Sequence, residues 1–448
     1  MANSPRTGNR GGMEMTQPIT IEDKEHRFVN ALVPEEARMV ASICREFVDK
    51  EVMPIRRQID PDTRQGFELL TELQTKLLLL GSQKTNIPQE YGGLGVLPMV
   101  TICVQSEEFA RGDAAFTMAT GVSAWSFLPA VLAGNKAILD EFAPKLCGED
   151  LYIGCFAMTE PGGGCNIENI DMRGRGIATR ARLNGDEWVI NGTKMWCTNS
   201  GIAHNYTVVC NTDPELGDEG IALIHVPCPI KGLTFGKFED KAGFRASREC
   251  EFHFDDVRVP KSWRVAGPGR DAELLHNNLV YGRIGSAAAP IGSAQGAFEE
   301  VLAFTKDRLA AGKPIRQHSI AANMLADMAI GIQVGRDAYM NVAYMYDHPE
   351  LYGPTWSKFM LSRGSIAKVF CCDVAVMVTN KAMELMGSYG YVTDHNVEKY
   401  WRDVKIMQLW QGGAQLGRLD VVRGYYDYDQ FHENELYEKL KKGGVRAW

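Results

Sequence analysis

The chain has 448 residues and a mass of 49.7 kDa, more than one hydrophobic core usually serves, so two or three domains or one large composite are expected. Apolar residues make up 45% and charged residues 23%, the balance of an ordinary globular protein. A net charge of −8, from 48 basic and 56 acidic residues scattered along the chain, argues against general nucleic-acid binding but leaves room for a local basic site.

The 11 cysteines form neither a CxxC nor a Cys/His array of metal spacing, so reduced structural thiols and no metal are expected. The N-terminal stretch MANSPRTGNRGG is polar, without an apolar signal core or transit-peptide amphipathicity, and no downstream run reads as membrane-spanning. The expectation is a cytoplasmic protein with no membrane span.

Residues 1–28 are rich in Gly, Pro and charge and read as a disordered tail. Residues 29–150 read as a helical domain. Its first helix opens at Pro34-Glu35-Glu36, with Val40, Ile43 and Phe47 on one face, and Glu68 to Leu80 is dense in strong helix formers. Ile87 to Gly95 is a loop, punctuated by Pro88, Gly92, Gly93 and Gly95. Residues 151–266 read as a β-domain. Trp188 to Trp196 is strand-like on both sides of Asn191-Gly192, which predicts a hairpin turn there. Short strands follow over Tyr206–Cys210, Ile221–Val226 and Glu251–Val259. Residues 267–448 return to helical period, with Ile320, Met324, Met328 and Ile332 every fourth residue, and Ile366, Phe370, Val374 and Val378 likewise. An α+β protein follows, with a β-domain between a helical domain and a C-terminal four-helix bundle.

Order of elements names no chemistry, but local motifs do. Met158-Thr159-Glu160-Pro161-Gly162-Gly163-Gly164, Lys194-Met195-Trp196-Cys197-Thr198-Asn199, Asp240 to Ser247 with Phe254 to Pro260, Ile87 to Gly95, and Arg402-Asp403 with Gly412-Gly413-Ala414-Gln415 stand in one order along the chain. Together they resemble the acyl-CoA dehydrogenase family from about Pro34 to Tyr426. The Gly162–Gly164 run does not fit a GxGxxG dinucleotide fingerprint.

The resemblance implies a middle β-barrel domain that binds flavin and acyl-CoA. It implies FAD held by Met158, Thr159, Trp196 and Thr198 from one protomer and by Arg308 across a subunit interface, with Glu384, Gly387, Gly413 and Gln415 in the contact set. It implies an acyl-CoA substrate meeting Cys165, Thr117, Tyr281 and Gly412, an electron-transfer flavoprotein or similar acceptor, and a homotetramer or a dimer of heterodimers. A broad apolar arc over Ile366, Val369, Phe370, Val374, Met377 and Val378 agrees with such an assembly.

The departures are as informative. Cys165 and Asn166 stand where the family has Ser and Asp, Ala311 where an aromatic is usual, and Ser319 and Glu384 where Gln is found. Gln411, in Leu409-Trp410-Gln411-Gly412, falls on the family's catalytic glutamate, and an amide accepts no proton at neutral pH. Relatives with the base on the neighbouring helix would carry it at Gly282, beside Tyr281 and Arg283; Arg283 matches a family arginine close to the active-site loop. Tyr281 would need a depressed phenol, and Asp113 is a displaced candidate base. Three readings remain: a flavoenzyme of CoA thioesters with its base elsewhere or needing none, as in redox-neutral elimination; the non-catalytic half of a heterotetramer; and a flavin-free scaffold.

Overall fold

The computed structural model describes residues 28, 32–61, 63–164 and 176–426. The N-terminal helices are α1 (Glu35–Phe47), α2 (Arg56–Ile59), α3 (Arg64–Leu78), α4 (Met99–Gly112), α5 (Ala114–Ala133) and α6 (Lys136–Leu146). Glu35 and Glu36 in the first turn of α1 meet the positive end of the helix dipole. Its inward face is Ala37, Ala41, Cys44 and Phe47, so Ile43, expected to face inward, is 50% exposed. The loop between α3 and α4 is as expected, with Gly92 and Gly95 in the left-handed region. Among the described residues α5 alone is long and apolar enough to cross a membrane, against the expectation that no run is; most of it is buried in this fold.

The strands β1 (Gly154–Ala157), β2 (Arg180–Asn184), β3 (Glu187–Lys194), β4 (Asn205–Asn211), β5 (Ile221–Pro227), β6 (Leu233–Phe238) and β7 (Cys250–Pro260) form one curled seven-stranded sheet. The expected turn at Asn191-Gly192 is absent. β3 runs through it, and its register against β7 shifts between Ile190 and Gly192 as a bulge. Gly192 is needed because a Cβ there would meet the Thr179 backbone at 2.7 Å. The true hairpin turn is at Gly185, joining β2 to β3.

The C-terminal part comprises α7 (Arg270–Asp307), the short hairpin β8 (Leu309–Ala310) and β9 (Lys313–Pro314), α8 (Ser319–Asp347), α9 (Pro349–Tyr352), α10 (Lys358–Met386), α11 (Ser388–Tyr391), α12 (Val397–Leu409) and α13 (Gly413–Arg423). α7, α8 and α10 pack with α12 and α13 as a bundle, and α4 lies along α7. The four-residue spacing on α8 drifts by about 40° per step against the true helical period. Met328 and Ile332 are therefore fully buried while Ile320 is 77% exposed. The apolar arc of α10 is mostly consumed inside the chain: Val369, Val374 and Val378 are buried, and Phe370 is exposed.

A buried charge cluster joins these parts. Lys399 on α12 lies 2.7 Å from Asp113 and also pairs with Asp403 and Asp60, all removed from solvent. Burial alone would depress the Lys399 ammonium, but the Asp113 and Asp403 charges hold it above its ordinary range. Lys399→Met, leaving carboxylates without a counter-charge, is expected to cost about 3–5 kcal/mol, read as a lowered midpoint in urea or heat.

The β-domain sits on α5 and α6 through His225 of β5, whose ring lies 5.3 Å from Phe127 and 5.4 Å from Phe142, with the Thr207 hydroxyl at 3.1 Å. Burial pushes this imidazole down to about 3, against about 6.5 in an unfolded chain. Between those values the unfolded chain binds the extra proton, so His225's contribution is complete above about pH 6.5 and is lost as pH falls. From pH 7 to pH 5 the unfolding free energy of wild type is expected to fall by about 2 kcal/mol more than that of His225→Leu. An equal response of the two proteins in urea would show that the ring is not held neutral.

Candidate active site

α12 ends at Leu409, and the chain turns sharply before α13. Gln411, Gly412 and Gly413 have φ of 50°, 83° and 68°, three successive left-handed residues. Glycines adopt this freely; Gln411 does so at about 1–2 kcal/mol, the kind of local strain that surrounding structure must hold in place. Lys368, itself buried, donates to the Trp410 carbonyl at 3.0 Å, Gly413 N–H donates to the same oxygen at 2.9 Å, and the Trp410 ring meets Phe244 edge-on. Phe244 belongs to the Asp240–Ser247 segment, seated on α12 where a Cβ at Gly243 would strike the Arg402 backbone at 2.5 Å. The turn is thus clamped by bundle and β-domain together.

Gln411 faces α7 and α5. A Cβ on Gly282 would come within 3.0 Å of both Gln411 Nε2 and the Trp125 ring, so the two positions where a base is expected converge on one spot, shared with Trp125. Arg283 points elsewhere. It is 1% exposed, pairs with Asp420 at 2.6 Å and bonds the Ser365 hydroxyl. It pins α13 to α7 behind the turn.

The alternative bases are also committed. Tyr281 is buried, accepts from Asn86 Nδ2 at 3.3 Å, and burial pushes its phenol up, opposite to what a base requires. Asp113 caps α5 by accepting from Phe116 N–H at 2.8 Å and pairs with Lys399. The Thr117 hydroxyl donates to the Asp113 carbonyl at 2.8 Å, inside its own helix, which leaves it no substrate-facing donor. Glu160 pairs with Lys194 at 2.8 Å and accepts from Thr179; burial by itself would raise its carboxyl, but the Lys194 charge and these bonds hold it below its ordinary range. Gly412 and Gln415 are exposed at the start of α13, with Gly413 half-buried between them.

The second half of the site is the edge of the β-domain. The Thr159 carbonyl accepts from Met195 N–H at 2.9 Å and the Met158 carbonyl accepts from Lys194 Nζ at 2.9 Å, which aligns the two motifs side by side. Asn199, buried in a left-handed conformation, donates to the Ala119 and Gly154 carbonyls at 2.9 and 3.1 Å and ties the turn to α5 and β1. This leaves Trp196 at φ 55° with 59% of its surface exposed, a large apolar ring standing free. Thr159 and Thr198 are half-buried nearby, and a Cβ at Gly163 or Gly164 would meet nothing within 4 Å. An uncovered indole, hydroxyls on the same edge and room for a close backbone approach fit the isoalloxazine of FAD. Cys165 and Asn166 lie outside the described residues.

Arg308 stands at the far end of α7, 26 residues from Gly282, or about 39 Å along the helix. Its guanidinium is exposed and lies 4.8 Å over the Tyr389 ring, so an aromatic partner exists despite Ala311. Gly387 caps α10 just before Tyr389, with Glu384 exposed one turn earlier. Arg308 therefore meets the junction of α10 and α11 through Tyr389.

The sequence pointed to neither Trp125 nor Asn278. Trp125 Nε1 donates to the Asn278 carbonyl at 2.9 Å, and Trp125 packs on Phe156 at 4.8 Å. The available signal was a glycine, Gly282, opposite a large aromatic, which only the packing of α5 on α7 reveals.

The models of the acyl-CoA dehydrogenase N-terminal, middle and C-terminal domains match residues 34–150, 155–257 and 272–426. The human mitochondrial short-chain specific acyl-CoA dehydrogenase is 32% identical over 395 residues, 88% of this chain and 90% of that protein. The butyryl-CoA dehydrogenase of Megasphaera elsdenii superposes with a TM-score of 0.78 at 27% identity, over 88% of this chain and 98% of that one. A chain from the structure of the electron transferring flavoprotein of Acidaminococcus fermentans superposes with a TM-score of 0.79 at 28% identity, over 88% and 99%. With three domain models in register and a relative matched almost end to end, the chain belongs to the acyl-CoA dehydrogenase family, whose members are FAD enzymes.

Proposed function

We propose that this protein is an FAD enzyme of CoA thioesters whose reaction does not use a carboxylate at position 411. The observation that carries the reading is Gln411 itself, held at the convergence of α5, α7 and the α12–α13 turn where a base would stand. Its amide donates and accepts hydrogen bonds but takes no proton from a substrate carbon at neutral pH. Asp113, Glu160 and Tyr281 are each engaged elsewhere and offer no substitute.

Bound FAD supplies a hydride acceptor. The chain's own part is to cover the ring with Trp196, hydrogen-bond its edge through Thr159 and Thr198, and orient the thioester against the Gln411 amide. The acyl group is drawn from the class named by the relatives, short acyl-CoA esters. An electron transferring flavoprotein is the proposed acceptor where the reaction is oxidative. Arg308, about 39 Å along α7 from Gly282, serves a cofactor bound by a neighbouring copy, and Ile320, Ile330 and Val334 on α8 expose apolar surface for such a neighbour. A homotetramer or dimer of heterodimers follows. The missing base favours a second reading, redox-neutral elimination from a CoA thioester that carries its own leaving group.

Two measurements test this. Denatured holoprotein is expected to release FAD rather than FMN, and Trp196→Ala is expected to weaken flavin affinity by about tenfold, the loss of one aromatic contact. Release of FMN, or unchanged affinity, contradicts the assignment of the ring site. In anaerobic mixing with butyryl-CoA the wild-type flavin is expected to stay oxidised, while Gln411→Glu bleaches at least about 10²-fold faster. Rapid bleaching of the wild type would mean that a base operates outside the residues named. If both proteins stay oxidised with FAD bound, elimination becomes the better reading.

A further inference from the structure

Resting on the acyl-CoA reading above, we infer that the acyl end of the substrate is short and carries a neutral hydrogen-bonding group, selected by Trp125 and by the Asn278 and Gln411 amides. Trp125 sits where α5 faces α7, its indole N–H fixed to the Asn278 carbonyl, and its ring fills the notch that the missing Cβ of Gly282 leaves beside Gln411. One turn earlier on α5, a Cβ at Gly121 would meet nothing within 4 Å. Gly121 is exposed, whereas Trp125 fills the space beside Gly282, so α5 presents a wall there against a long straight chain.

The wall beside that stop is polar. Asn278 lies one turn before Gly282 on the same face of α7 and is 1% exposed. Neither its Oδ1 nor its Nδ2 has a hydrogen-bond partner among the described residues, and the same holds for Gln411 Oε1 and Trp410 Nε1. Buried polar atoms left unpaired are costly, and a native chain keeps them where a ligand completes them. The two amides offer donors and acceptors, whichever way Asn278 is turned. Arg283 is neutralised by Asp420, and Lys368 donates to the Trp410 carbonyl. A carboxylate offers acceptors only and would leave the amide oxygens of Asn278 and Gln411 unpaired, whereas a hydroxyl or carboxamide both donates and accepts.

The test is calorimetric titration of the FAD-loaded protein with free CoA, butyryl-CoA, 3-hydroxybutyryl-CoA, succinyl-CoA and octanoyl-CoA. The expected order places 3-hydroxybutyryl-CoA about tenfold tighter than butyryl-CoA, with succinyl-CoA and octanoyl-CoA weaker than butyryl-CoA by a similar factor. Asn278→Leu is expected to reduce the hydroxyl preference to within about twofold, leave free CoA unaffected, and melt at the same temperature or higher because it removes two unpaired buried atoms. Trp125→Ala is expected to raise octanoyl-CoA to the affinity of butyryl-CoA. Equal binding of butyryl-CoA and 3-hydroxybutyryl-CoA, wild-type binding of octanoyl-CoA as tight as butyryl-CoA, or a sharp loss of melting temperature in Asn278→Leu each overturns the inference while CoA esters still bind. If neither CoA nor any of its esters binds, the acyl-CoA reading falls and this inference falls with it.

Discussion

Lys399 and the carboxylates around it are the constraint on which the rest of this molecule is arranged. Asp113 is the cap of α5, Asp403 accepts from the Phe244 N–H of the β-domain, and Asp60 closes the N-terminal layer through Arg402 at 2.8 Å. One ammonium therefore fixes the start of α5, the Asp240–Ser247 segment and α12 in a single frame. None of these groups is tolerable inside the protein alone, so the parts must dock together or not at all. The cleft lies just beyond, where α5 leaves its cap and α12 gives way to the Gln411 turn.

That geometry explains why the site is built from pieces far apart in sequence. α5 brings Trp125, α7 brings Asn278 and Gly282, and the turn between α12 and α13 brings Gln411. The β-domain contributes an edge with Trp196 uncovered, braced by Asn199 against α5. Arg283 holds α13 from behind through Asp420, so the strained backbone at Gln411 is gripped on both sides. Rigid support of that kind keeps a reacting group in place, and here it has been retained around an amide.

The residues that sequence reasoning assigned to chemistry divide along a physical line. Those in backbone turns with positive φ, Trp196, Gly412 and Gly413, are left at least partly open, Trp196 and Gly412 exposed. Those in or capping helices, Tyr281, Thr117, Asp113 and Arg283, are drawn into packing, each bonded to a backbone group, an amide or a charge of a neighbouring element or of its own helix.

The order helical, β, helical, the family and the amide at position 411 were legible in the sequence, since periodicity and collinear motifs are local properties. The Asn191-Gly192 bulge was not, because whether a glycine turns the chain or merely lets Thr179 approach depends on a strand distant from it. Nor was the inward burial of the α10 arc, since one face can serve a bundle or a neighbouring copy and only packing chooses between them. Tertiary structure alone brought Trp125 against Gly282 and left the Asn278 side chain unpaired one turn before it, because the fit of a ring into a missing methyl is a relation between two helices that neither segment encodes by itself.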